Sequence, residues 1–258
     1  MSMAEKREEK PIITVRGMKA QFGDEVILEC IDLNVIEGEI LVILGGSGCG
    51  KTTLMRHMVG LETPREGSVS IDGVNLMTAG VKDFTKALNK IGVLFQGSAL
   101  FGSMTIFENV ALPIAAHTTL PQRMISQMVM MKLKTVGLDN YAGHLPSEIS
   151  GGMKKRAGLA RALALNPKIL FLDEPSAGLD PVTAVEIDEL ILEINRKLNT
   201  TIIIITHELE SILKVGERAI MLDKSVKGVI AEGNPLELKT NSGNDIVKRF
   251  FNRQSRPD

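Results

Sequence analysis

Short, strictly apolar runs alternate with turn residues over the first third of the chain. Ile12-Ile13-Thr14-Val15, Ile40 to Leu44, Val69-Ser70-Ile71 and Ile91-Gly92-Val93-Leu94 read as β-strands, separated by turn signals such as Ile71-Asp72-Gly73 and Glu37-Gly38-Glu39. From about Gly97 to Leu165 the apolar period becomes helical. Met124, Met128 and Met131 recur there at helical spacing, with Ile125, Val129 and Leu133 on an adjoining stripe. That broad apolar face reads as core before it reads as a partner groove, because Met commonly fills irregular interiors. Strands return at Ile169-Leu170-Phe171-Leu172 and Thr201 to Ile205, with a helical stretch from Val182 to Leu198 between them. The alternation predicts a parallel sheet covered by helices, so the chain reads as one α/β unit with a mostly helical segment inserted. Asp245 to Phe251 predicts a short amphipathic helix with Ile246, Val247 and Phe250 on one side, packed on its own domain or docked on another chain.

Composition narrows the class. A chain of 258 residues that is 44% hydrophobic has ample material for a core. Thirty Lys and Arg against thirty-one Asp and Glu give a net charge of −1, which argues against a general nucleic-acid binder that neutralises phosphates. Two cysteines make no disulfide framework, and Cys49, inside a glycine-rich loop, implies a reducing compartment. The charged N-terminus, Met1 to Lys10, lacks the apolar core of a signal peptide or anchor and reads as a frayed end. Ile202 to Ile205 and similar runs fall far short of the roughly 20 residues that span a bilayer, so any membrane role runs through a partner.

Gly45-Gly46-Ser47-Gly48-Cys49-Gly50-Lys51-Thr52-Thr53 follows a buried-strand pattern and precedes a helical one, Leu54, Met55, Met58, Val59 and Leu61. In that context it is a P-loop: glycines let successive N–H groups converge on a polyphosphate, Lys51 reaches the β and γ oxygens, and Thr52 offers a hydroxyl to Mg²⁺. Asp173-Glu174 ends the strand Ile169 to Leu172 at the sheet edge where such folds bind ligands. Alone the pair reads equally as a solvated helix start; beside a P-loop, Asp173 holds Mg²⁺ through its water shell and Glu174 polarises the water attacking the γ-phosphate. His207 follows the strand ending at Ile205 and is either structural or a γ-phosphate sensor that orients Glu174. Gln96, after Val93-Leu94-Phe95, occupies a third such position, where its carbonyl oxygen can ligate Mg²⁺ at the boundary of the helical segment. Ser150-Gly151-Gly152 opens another helix, with Ser150 a good N-cap. It is an ordinary capped start or a second anion site, and a second cradle makes most sense closing over ATP held by another subunit.

Taken together, Gly45 to Thr53, Gln96, Ser150-Gly151-Gly152, Asp173-Glu174, Ser176-Ala177-Gly178-Leu179-Asp180 and His207 resemble the full motif set of ABC-type ATPases, in family order and over nearly the whole chain. The resemblance implies a P-loop NTPase (RecA-like) α/β core with an antiparallel β subdomain and an inserted helical subdomain. It divides residues 1–258, one ABC ATPase domain, into a nucleotide-binding core (1–96 and 166–240), a helical subdomain (97–165) and a tail (241–258). It also implies that Phe22 stacks on adenine, that Asp180 belongs to the loop beside the nucleotide, and that two copies bind two ATP molecules head to tail, each between one copy's P-loop and the other's Ser-Gly-Gly. Ile149 and Met153 depart from the usual Leu-Ser-Gly-Gly-Gln, and Met153 cannot make an amide's hydrogen bonds.

Ser-Gly-Gly-Met followed by basic residues is instead similar to the ATPases of Mce/Mla-type phospholipid transporters. Leu94 to Phe101, His117-Thr118-Thr119-Leu120-Pro121 and Val129-Met130-Met131-Lys132-Leu133 agree with that subgroup, and lie where the family docks a permease. The implied partners are a MlaE-like permease, a MlaD-like lipid-binding ring and a MlaB-like STAS protein, with the ATPase peripheral on the cytoplasmic face of the inner membrane. The implied task is phospholipid movement between inner and outer membranes. The other transporter reading is an importer of amino acids or another small solute. A repair or translation ATPase would carry a long coiled coil or a second cassette, for which the motif spacing leaves no room. A binding-only subunit would lack Glu174 or His207.

Overall fold

Bulges hide the length of the first two strands. The structure, a computed structural model, describes residues 10–254; the charged run before Lys10, with the frayed end expected there, and the last residues of the tail lie outside them. Pro11–Phe22 (β1) and Glu25–Ile36 (β2) pair along their full length, where the sequence predicts only a short run at Ile12 to Val15. The register slips between Val15 and Met18, where Gly17 (φ 52) takes left-handed backbone, and again between Met18 and Ala20, opposite Cys30 (φ 53), so the two-residue alternation is broken in the sequence but not in the sheet.

Ile40–Gly45 (β3) is buried at every position and leads into Lys51–Met58 (α1). Glu66–Ile71 (β4) and Val74–Asn75 (β5) complete an antiparallel sheet of order β2-β1-β4-β5. Val81–Leu88 (α2) is a helix the strand-rich reading omits; Phe84, Ala87 and Leu88, at helical spacing, carry its apolar side. After Ile91–Leu94 (β6) come Ile106–His117 (α3), Gln122–Thr135 (α4) and Gly151–Ala162 (α5), the mostly helical region. Thr105 and Glu108 start α3 with a reciprocal capping box. Ile169–Asp173 (β7), Pro181–Leu198 (α6), Thr201–Ile205 (β8), Leu209–Val215 (α7), Arg218–Asp223 (β9) and Gly228–Gly233 (β10) follow, then Pro235–Asn241 (α8) and Asp245–Phe251 (α9).

The second sheet has the order β10-β9-β3-β8-β7-β6, parallel except at β10. Its central strands are apolar on both faces because both are covered. Leu41, Ile43, Phe171, Ile203 and Ile205 face the antiparallel sheet and α1; Val42, Leu44, Leu170, Leu172, Ile202 and Ile204 face the helices. Each such side chain contributes roughly 1.5–3 kcal/mol on burial.

Two apolar stripes sit one residue from where the pattern places them. On α4 the core takes Ile125, Val129 and Leu133, whereas Met124 and Met131 are 47% and 64% exposed, so only Met128 of the methionine stripe packs inward. One helix face can be buried at a time, and the branched residues occupy it. On α9 the fully buried residues are Val247 and Phe251, one turn apart, with Ile246 and Phe250 at the margin; the helix packs on its own chain. No helix among the described residues is long and apolar enough to cross a membrane.

Candidate active site

Parallel pairing decides which turns meet. Ile43 on β3 and Asp173 on β7 both lie opposite Ile205 on β8, and Leu94 on β6 lies opposite Leu172 on β7. The glycine loop after β3, Asp173-Glu174 at the end of β7, His207 after β8 and Gln96 after β6 therefore emerge at one carboxyl edge of the sheet.

The loop curls tightly against the end of β9. Gly45 has φ 146, and a Cβ there would meet Leu222 O at 2.3 Å and Cys49 Sγ at 2.7 Å. Gly46 follows it, Ser47 and Gly48 are exposed at the tip, and Gly48 has no neighbour a Cβ would touch. Lys51 Nζ folds back across the loop and donates to Gly45 O at 2.9 Å and Gly46 O at 3.0 Å. Helix α1 has Gly50 (φ 98) as N-cap and no side-chain cap, which leaves its positive end to an anion. Phe22, Ile27 and Gly48 to Thr53 line one cavity of about 280 Å³, with the Phe22 ring half exposed at the end of β1. Burial pushes the Cys49 thiol up against the pull of Lys51, so it stays a protonated packing residue.

Both carboxylates are buried. Desolvation, then the neighbouring Glu174, pushes the Asp173 carboxyl up, while Lys155 and Lys51 pull it down. Glu174 takes a left-handed backbone (φ 49), which costs a non-glycine residue on the order of 1 kcal/mol. Its surroundings hold it there on every side. Glu174 N donates to Ile205 O at 2.8 Å, its carbonyl accepts from Lys155 Nζ at 2.7 Å, and its carboxylate accepts from Thr206 Oγ1 at 3.2 Å and His207 Nδ1 at 2.7 Å. Lys155 also donates to Gln96 O at 2.5 Å, whereas the Gln96 side chain is exposed.

Lys155 and Thr206 are the site residues that sequence reasoning misses. Lys155 reads there only as one of several basic residues after Ser-Gly-Gly-Met. The available signal is its helical spacing with Gly158 and Arg161, which places all of them on one face of α5.

Ser150 caps α5, its Oγ accepting from Met153 N at 3.3 Å, and Gly151 and Gly152 form the first turn. A Cβ on Gly152 would lie 2.6 Å from Thr183 Cγ2, so this helix start packs closely on the start of α6. There Asp180 is the N-cap, accepting from Val182 N and Thr183 N at 3.1 Å and from Thr183 Oγ1 at 2.6 Å. The Thr183 hydroxyl above all holds its carboxyl below the usual range. Ser150, Gly151, Gly152 and Asp180 thus sit together, and none of them lines the Lys51 cavity of the same chain.

The residues fit a magnesium nucleotide. The uncapped helix start and open loop tip suit phosphate oxygens. Among the described residues no three or more His, Cys, Asp or Glu cluster as a closed metal cage. One carboxylate, a threonine hydroxyl and an amide carbonyl, completed by phosphate oxygens and water, are the oxygen donors that magnesium takes.

Residues 28–177 match the family model described as ABC transporter. The chain is 40% identical over 240 residues to the probable ribonucleotide transport ATP-binding protein mkl of Mycobacterium leprae, covering 93% of this chain and 68% of that one. It is 40% identical over 227 residues to the intermembrane phospholipid transport system ATP-binding protein MlaF of Haemophilus influenzae, covering 88% and 85%. The dimeric ATP-binding cassette MJ0796 bound to ADP and Pi superposes with a TM-score of 0.78 at 31% identity, covering 86% of this chain and 98% of that one.

Proposed function

Because the chain belongs to the ABC transporter family, we propose that it is the ATP-hydrolysing subunit of a phospholipid transporter and works as a head-to-tail pair. It is an ATPase of the ABC type. The observation that carries the hydrolytic reading is the Glu174–His207 hydrogen bond at 2.7 Å beside a P-loop.

Gly45 to Thr53 wraps the phosphates, Lys51 leaves its two carbonyls for the β and γ oxygens, and Phe22 stacks on the base. Thr52, Asp173 and Gln96 would hold Mg²⁺, which when bound offsets charge on the phosphate oxygens. Glu174 orients and deprotonates the attacking water, and His207 with Thr206 fixes the direction of that carboxylate. Ser150, Gly151 and Gly152 complete the partner copy's pocket, with Asp180 beside the shared interface; that they lie apart from their own Lys51 cavity supports this arrangement. The dimeric MJ0796 cassette supports the pairing. The division into a nucleotide core (1–96 and 166–240), a helical subdomain (97–165) and a tail (241–258) belongs to the same reading.

Extent of overlap favours the lipid cargo: the chain spans 85% of MlaF but 68% of mkl. On this reading the dimer sits on the cytoplasmic face of the inner membrane beneath MlaE-like permeases, with a MlaD-like ring and a MlaB-like STAS protein. Co-expression with the membrane protein encoded beside it, followed by purification and identification of bound small molecules, tests the assignment. Phospholipid in the complex and ATPase activity raised by the permease are expected. An amino-acid or nucleotide cargo without phospholipid would contradict the lipid reading.

A further inference from the structure

We propose that Lys155 is a positioning residue for hydrolysis, tying the helix that begins at Ser150 to the backbone of Glu174 and of Gln96 at once. This deepens the reading above and rests on it, since Glu174 must act on water for its placement to matter.

Lys155 Nζ donates to two carbonyls that belong to different strand ends, Glu174 O after β7 at 2.7 Å and Gln96 O after β6 at 2.5 Å. The residue is 7% exposed. Desolvating an ammonium is costly, and an apolar side chain would fill the same space without that cost. Neither of the two hydrogen-bond partners is a carboxylate oxygen. Beyond its charge, which pulls the Asp173 carboxyl down, the ammonium adds geometry that a methyl group lacks: several donors on one atom can hold two peptide groups at a fixed separation.

Both peptide groups need holding. Glu174 is left-handed, so the direction of its side chain depends on a backbone conformation that non-glycine residues leave readily. Rotation of the Glu174 peptide would swing the carboxylate away from Thr206 and His207. Beyond Gln96 the chain makes two more left-handed residues, Ser98 (φ 60) and Ala99 (φ 47). Arg161, on the same face of α5, donates to Ser98 O and Ala99 O, each at 2.8 Å. Gly158 between them permits the approach: a Cβ there would lie 2.7 Å from Leu94 Cδ1 and 3.2 Å from Ser98 Cβ.

Helix α5 and the Gln96 turn are thus one body, and Lys155 adds Glu174 to it. A displacement at the Ser150 end, produced when that serine engages the partner's nucleotide, reaches the chain's own catalytic carboxylate through this side chain, beside the packing of Gly152 on Thr183. Lys155 links the two pockets of the dimer.

The test uses full-length Lys155→Met and Lys155→Arg beside the wild type and Glu174→Gln, measuring kcat, KM for ATP and the unfolding midpoint of each. Loss of placement without loss of binding predicts that Lys155→Met lowers kcat at least about tenfold while KM stays within about twofold. Its unfolding midpoint should match the wild type, and Lys155→Arg, which keeps the donors, should recover most of the rate. A wild-type kcat in Lys155→Met overturns the proposal. So does a loss matched by early melting or by an equal rise in KM, or an arginine variant no better than methionine. Failure of the underlying reading looks different: the wild type would not hydrolyse ATP, or Glu174→Gln would turn over as fast as it does.

Discussion

His207 Nδ1 lies 2.7 Å from Glu174 Oε1. A carboxylate that acts as a base can only accept this bond, which the Nδ1–H tautomer of the ring donates, while Thr206 Oγ1 holds its second oxygen. The histidine side chain is 58% exposed and the glutamate 11%, so the carboxylate is sheltered while its hydrogen-bond partner meets solvent. Glu174→Gln keeps the shape and removes the base. It should bind ATP and accumulate closed dimers while kcat falls by at least about 10²-fold. Steady-state ATPase assays beside nucleotide-binding measurements check this, and an unchanged rate would remove Glu174 from its role.

Phe22 lines the same cavity as Gly48 to Thr53. A ring stacked on a base is worth roughly 1–3 kcal/mol and reads no base edge. Phe22→Ala should therefore weaken ATP and GTP by similar factors, about 5- to 150-fold by that range, with little change in kcat at saturation. Tyrosine in its place should restore affinity. Calorimetric titration with both nucleotides separates this from a purely structural effect, which would lower kcat as well.

Asp72, in the turn between β4 and β5, accepts from Lys90 at 2.6 Å and Lys168 at 3.4 Å and so ties the small sheet to the large one. The Lys90 hydrogen bond first, then both lysine charges, hold its carboxyl below the ordinary 3.8. A carboxyl lowered on folding stabilises the native state above its unfolded value, and the gain is lost as pH falls through the folded value. Asp72→Asn should cost up to about 1 kcal/mol at neutral pH. The gap from the wild type should close as pH drops below 3.8. Denaturant melts across that range give the answer, and a constant gap would mean that the aspartate acts by shape.

Much of this architecture is legible in the chain because its central strands are buried on both faces, so Ile202 to Ile205 and Ile169 to Leu172 appear as unbroken apolar runs. The functional turns come next to those runs and are found with them. What stays hidden depends on contacts remote in sequence. Near Lys155 only its helical spacing with Gly158 and Arg161 distinguishes it from Lys154, and the carbonyls of Gln96 and Glu174 towards which its ammonium turns are remote in sequence. The methionines of α4 mislead because Ile125, Val129 and Leu133 compete for the same core and win it. The true extent of β1 and β2 is masked by Gly17 and Cys30, whose left-handed backbones shift the register in mid-strand.

Ser150 caps its own helix and does not line the cavity that holds Lys51, so on the proposed head-to-tail reading the complete pocket takes two copies. The most direct measurement is ATP hydrolysis by an equimolar mixture of Lys51→Ala and a variant disabled at Ser150, each inert alone. A mixed dimer joins the intact P-loop of one copy to the intact serine-glycine turn of the other, and hydrolysis that neither variant shows by itself is the expected result. A mixture as inactive as its components, although mixed dimers form, would contradict the shared pocket.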